Sequence, residues 1–180
     1  MKKYKRDGLA GLVGSGRKSA GMICKDTLTA YLPFLHKMFY RKPSSVLVEP
    51  TNDCNLGCVM CYRGKRKIGY MDFGLFTKVV DDLASIGDVR LGLCVGGEPL
   101  LHPQISNMLE YAMANRNRFS EVSLITNGML LSKVVADTIV KLNVDRVTVS
   151  LDGVGDVTER IRRGSDYRIV EENLDLSIPR

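Results

Sequence analysis

From residue 44 onward the chain alternates two patterns of apolar residues. Short apolar runs predict buried strands, and apolar residues spaced three and four positions apart predict amphipathic helices. Strands are predicted at residues 45–49, 89–95, 122–126 and 144–151. Helices are predicted at residues 72–85, 103–117, 132–142 and 157–176, the last as one helix or two. Strands that alternate with helices of about 10–15 residues indicate βαβ units around a parallel sheet.

The first 43 residues differ from the rest. Residues 8–21 are rich in glycine and other small residues, and they predict a flexible leader. They do not form a phosphate-binding loop, because Arg17 separates the last glycine from Lys18 and no strand precedes them. Residues 27–40 predict a helix with an apolar stripe. The predicted organisation is therefore a basic leader and N-terminal helix over residues 1–43, followed by a main domain over residues 44–180.

Composition limits the class of protein. The 180 residues have a net charge of +6 and a hydrophobic fraction of 44%, which suits one globular domain or part of one. The basic N-terminus is typical of a solvated tail, with contact to nucleic acid or anionic lipid as the alternative. No run of about 18 apolar residues predicts a membrane span, and no apolar core predicts a secretory signal. We therefore expect a cytoplasmic protein.

Three cysteines follow the first predicted strand and its Glu49-Pro50 end. Cys54, Cys58 and Cys61 are spaced C-x3-C-x2-C on one loop. This clustering indicates a metal site and not a disulfide framework. Iron–sulfur clusters and zinc usually take four ligands, so either a fourth ligand lies elsewhere or one metal position is open. Cys94 is a candidate fourth ligand, although a small buried apolar role is favoured, and Cys24 is expected to be an ordinary free thiol.

The other polar motifs also follow predicted strands, where functional loops gather in parallel α/β folds. The second strand is followed by Gly96-Gly97-Glu98-Pro99, where the glycines allow close backbone approach and Glu98 offers a carboxylate to a cation. The third is followed by Thr126-Asn127-Gly128, which also fits an ordinary turn. The fourth is followed by Ser150 and Asp152, and an arginine of residues 159–162 could clamp a carboxylate. His102 is expected to have a structural role.

Together these motifs resemble the radical S-adenosylmethionine (SAM) superfamily. Residues 49–62 are similar to the subgroup that carries a C-terminal SPASM-type cluster domain. The resemblance implies that Cys54, Cys58 and Cys61 hold a [4Fe–4S] cluster whose fourth iron is chelated by SAM. It implies reductive cleavage of SAM to a 5′-deoxyadenosyl radical, which abstracts hydrogen from an unidentified peptide, protein or small molecule. It also implies a one-electron donor such as a flavodoxin or ferredoxin.

The resemblance further implies the residues that bind SAM. Gly-Gly-Glu would bind the methionine amino group, Thr-Asn-Gly would line the pocket, and the residues after the fourth strand would contact the ribose, the carboxylate or the substrate. Met60 stands where the family often has an aromatic residue against adenine, and its thioether or the Tyr62 ring would take that role. No side chain is assigned to catalysis. The implied cofactor-binding set is Met60, Tyr62, Gly96, Gly97, Glu98, Pro99, Thr126, Asn127, Ser150, Asp152 and Arg162.

The family barrel usually has six strand–helix units, and this sequence supplies four. The expected fold is therefore α/β, a partial (βα) TIM-type barrel with a parallel sheet, and residues 44–180 would be an incomplete radical SAM core domain. We expect a C-terminally truncated chain, a fragment, or a chain completed by self-association or a partner subunit at the open sheet edge. Two alternatives are a non-catalytic iron–sulfur or zinc module and a degenerate scaffold that pairs with a complete homologue.

Overall fold

The computed structural model describes residues 42–62 and 66–177. The predicted leader, the helix at residues 27–40 and Cys24 lie outside the described residues. The strands are β1 (Ser45–Val48), β2 (Val89–Leu93), β3 (Phe119–Thr126) and β4 (Arg146–Val149). The helices are α1 (Phe73–Ile86), α2 (Ile105–Ala114), α3 (Lys133–Leu142), α4 (Asp156–Ile161) and α5 (Tyr167–Ser177). Short 3₁₀ turns occur at Pro99–Leu101 and Arg116–Arg118.

The four strands form one parallel sheet in the order β1-β2-β3-β4. One register line joins Val48, Leu93, Leu124 and Val147 across the sheet. The first three of these side chains are buried. Sequential parallel strands need a crossover after each strand, and a constant right-handed crossover places the helices on one face. The sheet therefore confirms the prediction of a partial (βα) barrel with four units.

The hydrophobic core lies between the sheet and the helices. Phe76 and Val80 of α1 and Met108 of α2 are fully buried against strand residues such as Leu91 and Val122. Helix α1 packs on α2, α2 on α3, and α3 on α5. Burying one such large apolar side chain stabilises the fold by roughly 1.5–3 kcal/mol, so this layer holds the strand ends in place.

Several helix ends follow from local sequence. The Asp72 carboxylate accepts a hydrogen bond from the Leu75 N–H at 3.1 Å and caps α1, as the sequence predicts. Gly87, with φ of 70°, ends that helix, and Asn143 ends α3 in the left-handed conformation. Ser132 occupies the N-cap position of α3, although its side chain makes no capping hydrogen bond.

Several predicted boundaries differ from those of the structure, including the end of β2 and both ends of α2. Strand β3 begins at Phe119, three residues before the predicted residue 122, because the Phe119 side chain is buried and extends the core. Strand β4 covers only Arg146–Val149 of the predicted residues 144–151. The tail forms two helices, which separate near Gly164, where φ is 92°.

The face of the sheet that bears Leu47, Gly92 and Ser123 is not packed against any of the helices α1 to α5 that the structure describes. Leu47 is 55% exposed and lies beside Gly92, where an added Cβ would be 2.5 Å from a Leu47 methyl group. Strands β1 and β4 are the edges of the described sheet. Within residues 42–62 and 66–177, no helix is long and apolar enough to cross a bilayer.

Candidate metal and cofactor site

The three cysteines lie on the connection between β1 and α1, which we call the cysteine loop (residues 49–72). An isolated antiparallel bridge between Thr51 and Tyr70 closes the base of this loop. The Thr51 hydroxyl donates to the Gly69 carbonyl at 2.8 Å, and the Gly69 N–H donates to Asn52 Oδ1 at 2.8 Å. Both ends of the loop are therefore fixed, although residues 52–62 and 66–69, the described part of its middle, contain no regular secondary structure.

The middle of the cysteine loop is held by the segment that follows α4. The Gly57 N–H donates to the Arg163 carbonyl at 2.8 Å, and the Val59 N–H donates to the Ile161 carbonyl at 2.9 Å. These two bonds flank Arg162, whose side chain is only 16% exposed and lines the adjoining pocket. The segment after β4 therefore both supports the cysteine loop and supplies a cation beside it.

One pocket of about 150 Å³ gathers the cysteine loop and the strand ends. Cys54, Cys58 and Cys61 all line it. Seven of the predicted SAM residues line it as well: Gly96, Gly97, Glu98, Thr126, Asn127, Ser150 and Arg162. Motifs separated by up to about a hundred residues in the sequence therefore share one cavity at the carboxyl ends of the strands.

The donor set suits a metal centre held by thiolates. Cys54, Cys58 and Cys61 line one shared volume, and thiolates are ligands of both iron–sulfur clusters and zinc. Structural zinc would need a fourth ligand, whereas a cluster held by three thiolates leaves one iron position open.

The Gly96-Gly97 turn packs directly on the cysteine loop. The Glu98 N–H donates to the Asp53 carbonyl at 2.7 Å. A Cβ on Gly97 would overlap the Thr51 carbonyl oxygen and lie 2.6 Å from that of Asp53. Only glycine permits this approach, so the second glycine serves the contact between two loops.

Alanine at Gly97 is expected to force these two loops apart. Overpacking of this kind costs about 1–3 kcal/mol, so Gly97→Ala should lower the free energy of unfolding by that amount in urea titrations. Gly69→Ala is the matched control, because an added Cβ there meets nothing within 4 Å. Equal stability of the two variants would contradict the close approach.

The Glu98 carboxylate is buried and bonded within the protein. Its side chain is 2% exposed. Oε1 accepts from the Thr126 hydroxyl at 2.7 Å and the Leu100 N–H at 3.2 Å, and Oε2 accepts from the Asn127 N–H at 2.7 Å. Burial raises the pKa of Glu98, and these three donors oppose that rise. The carboxylate therefore joins the ends of β2 and β3.

The three hydrogen bonds to Glu98 limit how far its carboxylate can serve the predicted role of binding a cation. Three of its roughly four lone-pair positions are used by the protein. Gly96 and Gly97 line the same pocket. The Glu98 carboxylate is therefore largely committed to contacts within the protein.

Glu49 and Arg66 support the same turn, and sequence reasoning missed their pairing. Glu49 Oε1 accepts from the Gly96 N–H at 2.9 Å. The Arg66 guanidinium donates to both Glu49 oxygens, at 2.9 and 3.0 Å. The Arg66 hydrogen bond holds the pKa of Glu49 below its usual value. An available signal was the position of Glu49 directly after β1, at the strand end where the other motifs gather.

Asn127 connects β3 to the cysteine loop. Its side-chain nitrogen lies 2.8 Å from Asn55 Oδ1 and 3.9 Å from Cys54 Sγ. Its Oδ1 accepts from the Met129 N–H at 3.0 Å. Thr126, by contrast, directs its hydroxyl to Glu98.

Ser150 and Arg162 provide the polar side of the pocket near β4. The Ser150 N–H donates to the Thr126 carbonyl at 2.9 Å, which sets the loop after β4 beside the one after β3. Arg162 Nε lies 2.6 Å from Asp152 Oδ2, a close ion pair whose N–H is not aligned for a hydrogen bond. Arg160 instead pairs with exposed Asp156, so Arg162 is the arginine of residues 159–162 that reaches the pocket.

Four predicted SAM residues lie outside the pocket lining in the described part of the chain. Met60 is 53% exposed and Tyr62 is fully exposed. Pro99 is buried at the start of its 3₁₀ turn. Asp152 forms an ion pair with Arg162 but does not itself line the pocket. The predicted contacts of these four residues with SAM stay predictions.

Cys94 and His102 have clear positions. Cys94 is half-buried and lines the pocket, and burial raises the pKa of its thiol, with Glu98 and Glu49 adding to the rise. The sequence favoured a buried apolar role for Cys94, whereas the structure places its thiol only partly buried, at the pocket. His102 is buried, with Nδ1 accepting from the Gln104 N–H at 3.1 Å and Nε2 against the Met71 carbonyl at 3.0 Å, which confirms its structural role.

A partial (βα) barrel with three loop cysteines at its strand ends defines a class of metal-cluster enzymes. The family model described as "Radical SAM superfamily" matches residues 48–178, and the chain belongs to this superfamily. Members bind a [4Fe–4S] cluster and SAM.

The chain is similar to curated proteins of several activities. It is 37% identical over 119 residues to a probable GTP 3′,8-cyclase of Methanopyrus kandleri, covering 63% of this chain and 36% of that protein. It is 29% identical over 150 residues to GTP 3′,8-cyclase of Desulforamulus reducens, covering 78% and 45%. The chain therefore spans less than half the length of these relatives.

Solved structures show the same architecture. The structure of native anSMEcpe with bound AdoMet has a TM-score of 0.63 and 25% identity, covering 75% of this chain and 40% of that one. The structure of Streptococcus suis SuiB bound to S-adenosylmethionine has a TM-score of 0.62 and 12% identity, covering 93% and 38%. At 12% identity, the likeness to SuiB concerns the fold alone.

Proposed function

We propose that this chain is a radical SAM enzyme, or the N-terminal part of one, that binds a [4Fe–4S] cluster and SAM. The observation that carries the proposal is that Cys54, Cys58 and Cys61 line one pocket with the Gly96-Gly97 turn. Thiolates are the ligands that such a cluster needs, and the glycine turn allows the strand end to pack directly against the loop that carries them.

In this proposal the chain supplies three thiolates and leaves one iron position open. When bound, the reduced cluster supplies the electron that cleaves SAM to methionine and a 5′-deoxyadenosyl radical, which then takes hydrogen from the substrate. The protein contributes orientation, and it excludes water from the pocket. The electron would come from a one-electron donor such as a flavodoxin or ferredoxin.

The pocket offers complementary groups for both ends of the amino acid part of SAM. The carbonyl groups of Gly96 and Gly97 are acceptors for an ammonium group. Arg162 is a cation for a carboxylate, and Ser150 adds a nearby hydroxyl. Both kinds of group lie in the cavity that the three cysteines line, so SAM held by them would present its amino acid end to the open iron.

Removal of the Arg162 side chain is expected to weaken SAM binding without removing iron. Truncating one partner of a desolvated charge pair costs about 2 kcal/mol or more, which is about 30-fold in Kd. Arg160→Ala is the matched control, because Arg160 is 71% exposed and pairs with Asp156. Equilibrium dialysis of reconstituted protein with SAM measures both variants. Equal SAM affinity of the two would remove Arg162 from the proposed site.

Two alternatives make different predictions. A non-catalytic iron–sulfur or zinc module would have four protein ligands and a metal spectrum that SAM does not change. A degenerate scaffold would pair with a complete homologue through the β4 edge and would bind little metal alone.

The direct test is anaerobic reconstitution of the full chain with iron and sulfide, followed by reduction in the presence of SAM. We expect about four irons per chain and formation of 5′-deoxyadenosine that depends on both SAM and reductant. Iron binding without any SAM cleavage, in the presence of a dithionite or flavodoxin reductant, would favour the non-catalytic module.

A further inference from the structure

We propose that Asn127 is a positioning residue that orients Cys54 and raises the reduction potential of the cluster by donating an N–H to the Cys54 thiolate. The inference rests on the proposed function, because it needs a cluster at the three cysteines. It goes beyond that function because it assigns to Asn127, at the end of β3, an effect on the reduction potential at which the cluster accepts an electron.

The orientation of the Asn127 amide is fixed by its neighbours. The Met129 N–H lies 3.0 Å from one terminal atom of the side chain, which must therefore be the oxygen. The other terminal atom is then the NH₂ group, which lies 2.8 Å from Asn55 Oδ1 and 3.9 Å from Cys54 Sγ. With Asn127 only 6% exposed, water competes little for these two hydrogens.

The Asn127 main chain is equally constrained. Its N–H donates to the buried carboxylate of Glu98 at 2.7 Å, and Glu98 in turn receives the Thr126 hydroxyl. Rotation of the amide away from Cys54 would require breaking the Met129 bond. The donor is therefore preorganised toward the sulfur before any metal binds.

Donors to a cluster sulfur act on its potential. Reduction adds negative charge to the cluster, and N–H groups that point at its thiolates stabilise that charge. Cys54 Sγ also accepts from the Leu56 N–H at 3.5 Å, so the Asn127 amide is a second donor to the same sulfur. Loss of the Asn127 donor should therefore make the cluster harder to reduce.

The experiment measures the midpoint potential of the reconstituted full chain without SAM, by redox titration followed by electron paramagnetic resonance (EPR). Omission of SAM separates this role from a contact between Asn127 and SAM. Asn127→Ala removes the donor, and Asn127→Asp replaces it with an oxygen at the same place. We expect both midpoint potentials to shift to more negative values than that of the wild type. Unchanged potentials in variants that retain iron would overturn the inference.

Asn55→Ala gives a test of opposite sign that leaves the contacts of Asn127 with Glu98 and Met129 in place. Asn55 is exposed, and its 2.8 Å hydrogen bond holds the Asn127 side-chain nitrogen 3.9 Å from Cys54 Sγ. Without that competitor the amide should bond more strongly to the sulfur, so the midpoint potential should shift to a less negative value. A potential that stays the same or becomes more negative would overturn the inference even if the Asn127 variants lose their cluster. Failure of every chain, wild type included, to bind iron would instead contradict the proposed function.

Discussion

Serine at Cys54, Cys58 or Cys61 is expected to reduce the iron bound after anaerobic reconstitution from about four atoms per chain to a small fraction of that. A serine hydroxyl is a hard, protonated donor at neutral pH and replaces a soft thiolate poorly. Each of the three sulfurs lines the same pocket, so the loss of any one should be comparable. Iron and sulfide analysis of the three variants measures the effect.

Cys94→Ser is the matched control for these variants. Cys94 also lines the pocket, yet it directly follows β2 and does not belong to the cysteine loop. We expect Cys94→Ser to keep its iron, because three ligands suffice when the fourth position is reserved for SAM. If Cys94→Ser lost as much iron as the other three, the site would have four protein thiolates and no open position.

Glutamine at Glu98 is expected to destabilise the chain at pH 7 by about 1–3 kcal/mol, the usual cost of a buried polar group without a partner. The glutamine oxygen can replace one carboxylate oxygen. Its NH₂ group would then face either the Asn127 N–H or the donors of Thr126 and Leu100, which are all hydrogen-bond donors. Urea unfolding measures the change, with Glu110→Gln on the exposed face of α2 as the control.

The sequence predicts the sheet well because its strands and helices have different apolar periods. Local sequence specifies the Asp72 cap and the Gly87 end of α1, because each depends on one residue type at one position. Local sequence does not specify the start of β3, because Glu121 interrupts the apolar run and only tertiary packing shows that Phe119 is buried. The limits of β4 likewise depend on pairing with β3, which no local pattern specifies.

The sequence predicted which loops meet at the site, but it did not predict the individual side-chain contacts within it. The cysteine spacing and the positions of the strand-end motifs indicated which segments would meet. The direction of the Glu98 carboxylate depends on donors at residues 126 and 127, and so it is a property of the folded chain. The pairing of Glu49 with Arg66 and the support of the cysteine loop by residues 161–163 are also long-range contacts. The only sequence signal for them was the position of Glu49 at the end of β1.

The open iron position is the claim on which the enzymatic function depends most directly. EPR spectra of the reduced, reconstituted chain, recorded with and without SAM, test it in one measurement. If the three cysteines leave one iron for SAM, adding SAM should change the g values of the cluster signal. An identical spectrum at a saturating concentration of SAM would mean that the position is closed or that SAM does not bind there, and the radical SAM function proposed for this chain would be contradicted.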